Sequence, residues 1–219
     1  MKLHEKQELS KIIITYALDK HKKIFTACSF GKDSIVVMDL VRQIDPDSVF
    51  IGIDTGYEFP ETLQFADDII SDLNLNFIWA RPSEDDVFEI NKKYGDEFVL
   101  DGQPKCCAMK IPAIEKHLPN YQAWLTGLRR DETEERKNMA IIESGKIDKV
   151  NPIAFWTQED VWQYIKEKGL RYHPLYDQGF KSLGCKPCTT QGEVRSGGGR
   201  QGQFERAGRF NFVDCESME

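Results

Sequence analysis

The residues from Ile24 to Ile44 constrain the fold most. A short β-prone run, Ile24 to Ser29, stops at a loop, Phe30-Gly31-Lys32-Asp33, and a helical stretch from Ser34 to Ile44 follows at once. A strand that turns through glycine straight into a helix is the opening unit of an open α/β sheet. The same alternation continues downstream. VFIGID within Ser48–Asp54 reads as a second strand, Glu61–Leu73 as a helix, Asn76–Ala80 as a third strand and Ala123–Thr126 as a fourth. Gln158–Lys168 reads as a helix with Thr157 as N-cap and Gly169 beyond its end. A first helix, Glu8–Lys20, places Leu9, Ile12, Ile13, Tyr16 and Ala17 on one face. The expected fold is α/β: a mostly parallel sheet with helices on both faces. Ligands of such sheets bind beyond the carboxyl ends of the strands.

At 219 residues the chain suits one domain, expected over 1–190, with a tail over 191–219. The tail reads as mobile, being rich in Gly, Arg, Gln and Ser, with three glycines in a row at 197–199. A net charge of −7 argues against general nucleic-acid binding but leaves room for a local basic pocket. No apolar run approaches the length of a membrane span, and Met1–Leu9 is polar. No membrane partner is therefore expected, and the cytoplasm is the expected location.

Two groups of residues carry chemistry. In the loop Ser29-Phe30-Gly31-Lys32-Asp33-Ser34, backbone N–H groups and a helix N-terminus can face an anion, with two hydroxyls and a lysine beside them. It is not a Walker loop, which needs G-x-x-x-x-G-K-[ST]; the plainer alternative is a β-turn-helix connection that needs glycine. The second group is Cys106-Cys107 with Cys185-Lys186-Pro187-Cys188. Six cysteines are too few for a disulfide scaffold in a chain this long, so metal or catalytic roles are expected. On spacing alone, zinc and iron–sulfur are both open. Cys28, in the first strand, reads as a buried small residue. The four histidines show no ligand spacing, and 172–180, with His173 and Asp177, reads as a structural lead-in to the second cysteine pair.

The loop at Ser29–Ser34 resembles that of the PP-loop enzymes. The likeness extends through Asp54-Thr55-Gly56, Phe59-Pro60-Glu61-Thr62, Lys105-Cys106-Cys107, Thr126-Gly127-Leu128-Arg129-Arg130-Asp131, Asn151-Pro152-Ile153, Gly184-Cys185, Pro187-Cys188-Thr189 and Glu205-Arg206-Ala207-Gly208-Arg209. In this order the motifs are similar to those of the assimilatory adenylyl-sulfate and phosphoadenylyl-sulfate reductases. The resemblance implies an adenine nucleotide hydrolase-like fold and a 4Fe–4S cluster on Cys106, Cys107, Cys185 and Cys188. It implies adenylyl sulfate (APS) as substrate, with the 3′-phosphorylated form (PAPS) as a near variant, and a thioredoxin- or glutaredoxin-type reductant; a homo-oligomer is left open. Substrate binding would fall to Ser29–Ser34, Asp54, Thr55, Gly56, Lys110, Arg129, Arg130, Arg206 and Arg209.

In that family a cysteine within E-C-G-L-H is the nucleophile. Here the chain ends Asp214-Cys215-Glu216-Ser217-Met218-Glu219. Cys215 is the candidate, although acidic neighbours should raise its pKa; the plainer alternative is an incidental tail thiol. Two other functions compete: a PP-loop ATP pyrophosphatase that adenylates a substrate for sulfur transfer, and a sulfonucleotide-binding protein that has lost its nucleophile.

Overall fold

The computed structural model describes residues 1–95, 97, 99–100, 103–189 and 191; side chains at 99, 100, 103, 104 and 188 are not described. The elements are α1 (Leu3–Lys20), β1 (Ile24–Ala27), α2 (Lys32–Arg42), β2 (Val49–Ile53), α3 (Pro60–Asp72), β3 (Phe77–Ala80), α4 (Glu84–Tyr94), β4 (Val99–Leu100), β5 (Gln103–Pro104), α5 (Lys105–Glu115), β6 (Ala123–Leu125), β7 (Ile142–Glu143), β8 (Asp148–Val150) and α6 (Gln158–Lys168). Six strands form one sheet in the order β3-β2-β1-β6-β8-β7. Every pairing is parallel except β7 with β8 at the edge. The small pair β4–β5 is a separate antiparallel ribbon.

Strand periodicity divides the core in two. From one face, Phe50, Leu125 and Val150 pack with residues of α1, α2, α3 and α6, including Ile14, Val37, Phe65 and Ile165. From the other, Phe25, Ile51 and Ala80 meet Ile114 of α5 and the turn carrying Leu118 and Tyr121. Helices thus cover both faces, as expected. The α6 boundaries also agree: Thr157 Oγ1 accepts the Asp160 N–H at 3.3 Å, Asp160 accepts the Thr157 N–H at 2.7 Å, and Gly169 closes the helix at φ 60°.

The first helix is turned differently from its expected face. Ile13, Ile14 and Ala17 point inward, while Ile12 and Tyr16 are 64% and 51% exposed. With isoleucine at 12, 13 and 14, hydrophobicity permits neighbouring rotations. A buried polar contact selects one: Ser10 Oγ donates to the Pro152 carbonyl at 2.8 Å and accepts the Trp156 indole N–H at 3.0 Å. Rotating Ile12 inward would leave those groups unpaired, at about 1–3 kcal/mol each.

Gly52 sits mid-strand in β2 because side chains crowd it. A Cβ there would lie 2.7 Å from the Phe77 ring and 3.0 Å from both the Cys28 carbonyl oxygen and the Trp79 ring. Overpacking of this kind costs about 1–3 kcal/mol. Gly52→Ala should lower the unfolding free energy by that amount, read as a lower urea midpoint at unchanged m-value; an unchanged midpoint would show that the aromatic pair yields freely.

Candidate functional site

The chain leaves β1 toward β2 and later returns to place β6 on the other side of β1. The loops after β1 and β6 therefore diverge, and a crevice opens between them at the carboxyl ends of the strands. A cleft of about 310 Å³ lies there, lined among others by Ser29, Phe30, Gly31, Asp33 and Ser34 from one loop, Thr126, Gly127 and Leu128 from the other, and Glu58, Thr62, Lys110, Tyr176 and Cys185. That volume is at the small end for a small-molecule site.

The Ser29–Ser34 loop is shaped by Phe30, whose φ is 56°. A left-handed conformation costs a non-glycine residue about 1–2 kcal/mol. The Phe30 ring is 1% exposed and packs against Phe77 and Trp79 at 5.4 and 5.9 Å. Burying it contributes about 1.5–3 kcal/mol, enough to hold the turn. Ser34 Oγ donates to the Gly31 carbonyl at 2.9 Å, and the Ile35 N–H donates to the same oxygen at 3.0 Å.

The two loops are tied by charge. Asp33 accepts from Lys32 Nζ at 2.9 Å and from Arg129 Nε at 2.6 Å, and Arg129 also pairs with Asp131. Burial pushes the Asp131 carboxyl up in pKa against the opposing pull of Arg129. Arg129 is fully buried, and neither it nor Arg130 is among the residues lining the cleft; Arg130 Nε donates to the Met139 carbonyl at 2.8 Å. Thr126 Oγ1 donates to Asn151 Oδ1 at 2.5 Å and fixes the start of the second loop. At Gly127 the loops come so close that a Cβ would stand 3.1 Å from the Asp33 carbonyl carbon and the Ser34 nitrogen.

The third motif joins the cleft to the cysteines. Asp54 accepts the Gly56 N–H and the Arg81 Nε–H, each at 2.9 Å, and Gly56 takes φ 81°. Thr55 Oγ1 lies 3.6 Å from Cys185 Sγ, and Cys185 Sγ lies 3.3 Å from Glu58 Oε1. The Lys186 N–H donates to the Tyr57 carbonyl at 2.8 Å. Cys106, Cys107 and Cys185 pack in one buried cluster, with Tyr57 against it. Lys110 lies one helical turn beyond Cys106 on α5 and faces Glu58, whose pKa burial raises and Lys110 opposes.

Among the described residues no set of three His, Cys, Asp or Glu stands at metal-binding spacing. Three buried thiols from two segments do lie together, and thiolate is the ligand type that zinc and iron–sulfur groups select. Cys28 is apart from them: its Sγ is 3.9 Å from Ser34 Oγ, and burial pushes its thiol up to about 12. The Cys188 side chain, Arg206, Arg209, Cys215 and positions 192–219 of the expected tail lie outside the described residues. Thr62, His173 and Tyr176 complete the cleft wall and its support. The motifs at 59–62 and 172–180 carried them, but no charge or metal spacing singled them out.

The sheet order places the Ser29–Ser34 loop at the switch point of a mostly parallel α/β sheet, where folds of this class bind ligands. The family pattern of the phosphoadenosine phosphosulfate reductase domain matches residues 23–191, and the chain belongs to that family. An adenosine 5′-phosphosulfate reductase of Bacillus pumilus is 36% identical over 179 residues, 78% of this chain and 77% of the relative. One from Streptomyces coelicolor is 35% identical over 203 residues, 90% and 82% of the two chains. The crystal structure of a phosphoadenylyl-sulfate reductase from Candida auris, a phosphate complex, superposes with a TM-score of 0.67 at 25% identity, covering 83% of this chain and 90% of that one. An FMN adenylyltransferase from Candida glabrata shares the fold, with a TM-score of 0.64 at 16% identity over 99% of this chain and 75% of that one. No helix of the described residues is long and apolar enough to cross a membrane.

Two outcomes are expected. Gly127→Ala should leave the circular dichroism intact and lower stability by about 1–3 kcal/mol, because the added Cβ meets backbone at 3.1 Å and the two loops must part by a few tenths of an ångström; an unchanged urea midpoint would show that the loops separate without cost. At pH 8, below the raised Cys28 pKa, iodoacetamide should leave Cys28 unlabelled in the folded protein and label it in urea. Equal labelling in both states would contradict its burial.

Proposed function

We propose that this enzyme reduces adenylyl sulfate to sulfite and AMP. The supporting observation is that one cleft is lined both by the Ser29–Ser34 anion loop and by Cys185 of the buried thiol cluster. The loop amides and Lys110 receive the anionic part of the nucleotide. The Cys215 thiolate attacks the sulfur of APS, the bond from sulfur to the phosphate oxygen breaks, and AMP leaves with the electron pair. The product is an S-sulfocysteine. A thiolate of a thioredoxin- or glutaredoxin-type dithiol attacks the Cys215 sulfur and expels sulfite; its second thiol resolves the mixed disulfide, so the dithiol is oxidised as sulfate sulfur is reduced.

Cys106, Cys107, Cys185 and Cys188 are assigned as the ligands of a 4Fe–4S cluster, which when bound would tune the electrostatics of the neighbouring substrate pocket. The proposal places the catalytic domain at 1–190, the nucleophile-bearing tail at 191–219 and the enzyme in the cytoplasm.

The test uses anaerobically purified protein incubated with APS and no reductant, followed by intact mass and peptide mapping. One SO₃ group should appear on Cys215 and leave as sulfite when thioredoxin is added, while Cys215→Ser shows neither event. APS bound tightly without an adduct would instead identify a binding protein, and release of pyrophosphate from ATP an adenylating enzyme.

A further inference from the structure

His173 is wholly buried, yet it makes a polar contact on each ring nitrogen. Nδ1 accepts the Leu175 N–H at 3.2 Å, and Nε2 lies 2.9 Å from Thr62 Oγ1. A backbone N–H can only donate, so Nδ1 carries no proton and Nε2 donates to Thr62. The ring therefore joins the first turn of α3, where Thr62 faces the cleft, to the short 3-10 turn Pro174–Tyr176. That turn carries Tyr176 into the cleft wall.

Tyr176 ends on the anion loop. Its hydroxyl accepts the Lys32 N–H at 3.1 Å, at the first residue of α2, and the Lys32 ammonium lies 5.9 Å from the ring centroid. Trp162 of α6 meets the ring edge-on at 5.1 Å. The Lys32 amide is one of the helix N-terminal donors, which are met by groups from outside the helix. Its orientation thus depends on where Tyr176 is held, and two of the groups that hold Tyr176 are His173 and Trp162.

We propose that His173 is a positioning residue for the nucleotide cleft: bridging Thr62 and the Leu175 amide, it sets Tyr176 against the Lys32 N–H and so fixes the start of α2 in its anion-receiving form. Burial lowers the His173 pKa to about 4, which keeps the ring neutral and its Nδ1 able to accept. The proposal rests on the cleft being the sulfonucleotide site.

The test is a double-variant cycle on the intact, cluster-replete chain, with His173→Asn and Tyr176→Phe alone and together. Asparagine can still accept the Leu175 N–H through Oδ1 but cannot reach Thr62; phenylalanine keeps the ring and removes the hydroxyl. AMP affinity is read by calorimetry, KM and kcat by sulfite release with APS, and Tm for each variant. Each single variant should weaken AMP binding about two- to tenfold, the range of one hydrogen bond. The loss should fall on KM rather than kcat, and the double variant should be no worse than the weaker-binding single one. His173→Gln, which can keep the Thr62 contact, should recover part of the loss. Lowered Tm with unchanged AMP affinity would reduce His173 to a structural role, and multiplying effects would show that it does not act through Tyr176. If the unmutated protein fails to reduce APS, the functional reading falls while the AMP cycle still decides on the latch.

Discussion

The Asp33 carboxylate holds the site together. It sits between the Lys32 ammonium and the buried Arg129 guanidinium, and so clamps the loop after β1 to the loop after β6. Burying such charges unpaired would cost several kcal/mol per ion, so the group is stable only as a complete set. Asp131 takes a second edge of Arg129, and Glu132 accepts the Arg129 N–H at 3.0 Å while pairing with Arg136. The close approach at Gly127 is the geometric counterpart of this network: charge draws the loops together, and the missing side chain lets them meet.

Beyond that clamp, the cleft wall is borrowed from distant segments. Glu58 and Cys185 come together because the turn after β2 accepts the Lys186 N–H at Tyr57. Tyr176 is held by α6 through Trp162 and by α3 through His173 and Thr62. The sheet sets where the cleft is, whereas side-chain contacts of long sequence separation set what it offers.

This division explains what the sequence disclosed. Elements with strong local signals were legible: α6 carries a capping pair and a terminal glycine, and β1–α2 carries its glycine turn. α4 has a capping box at Ser83 and Asp86 but no buried residue, so no apolar period announced it. α5 contains Pro112, which reads as a helix stop. β7 and β8 span two and three residues, too short for alternation to register. At the site, the loop residues and cysteines stood out because their chemistry is local to a motif. Arg129 stood out as a substrate-binding candidate, but the sequence could not show that Asp33, 96 positions away, pairs with it. His173 passed as a lead-in because its partner Thr62 lies 111 positions off.

The same long-range pairing bears on how a chain of net charge −7 would receive the anionic substrate proposed for it. Three carboxylates, Asp33, Glu58 and Glu132, line the cleft, and Lys110 is the basic side chain among its described lining residues. Each carboxylate is already answered. Asp33 and Glu132 pair with cations, while Glu58 is set against Thr55 and Cys185, its carboxyl raised in pKa by burial and drawn back down by Lys110. With those charges compensated within the protein, the field at the loop is left to the amides at the start of α2, their helix dipole and Lys110. Net charge describes the whole surface, and the potential an anion meets in this crevice is set instead by which charges the fold has already paired.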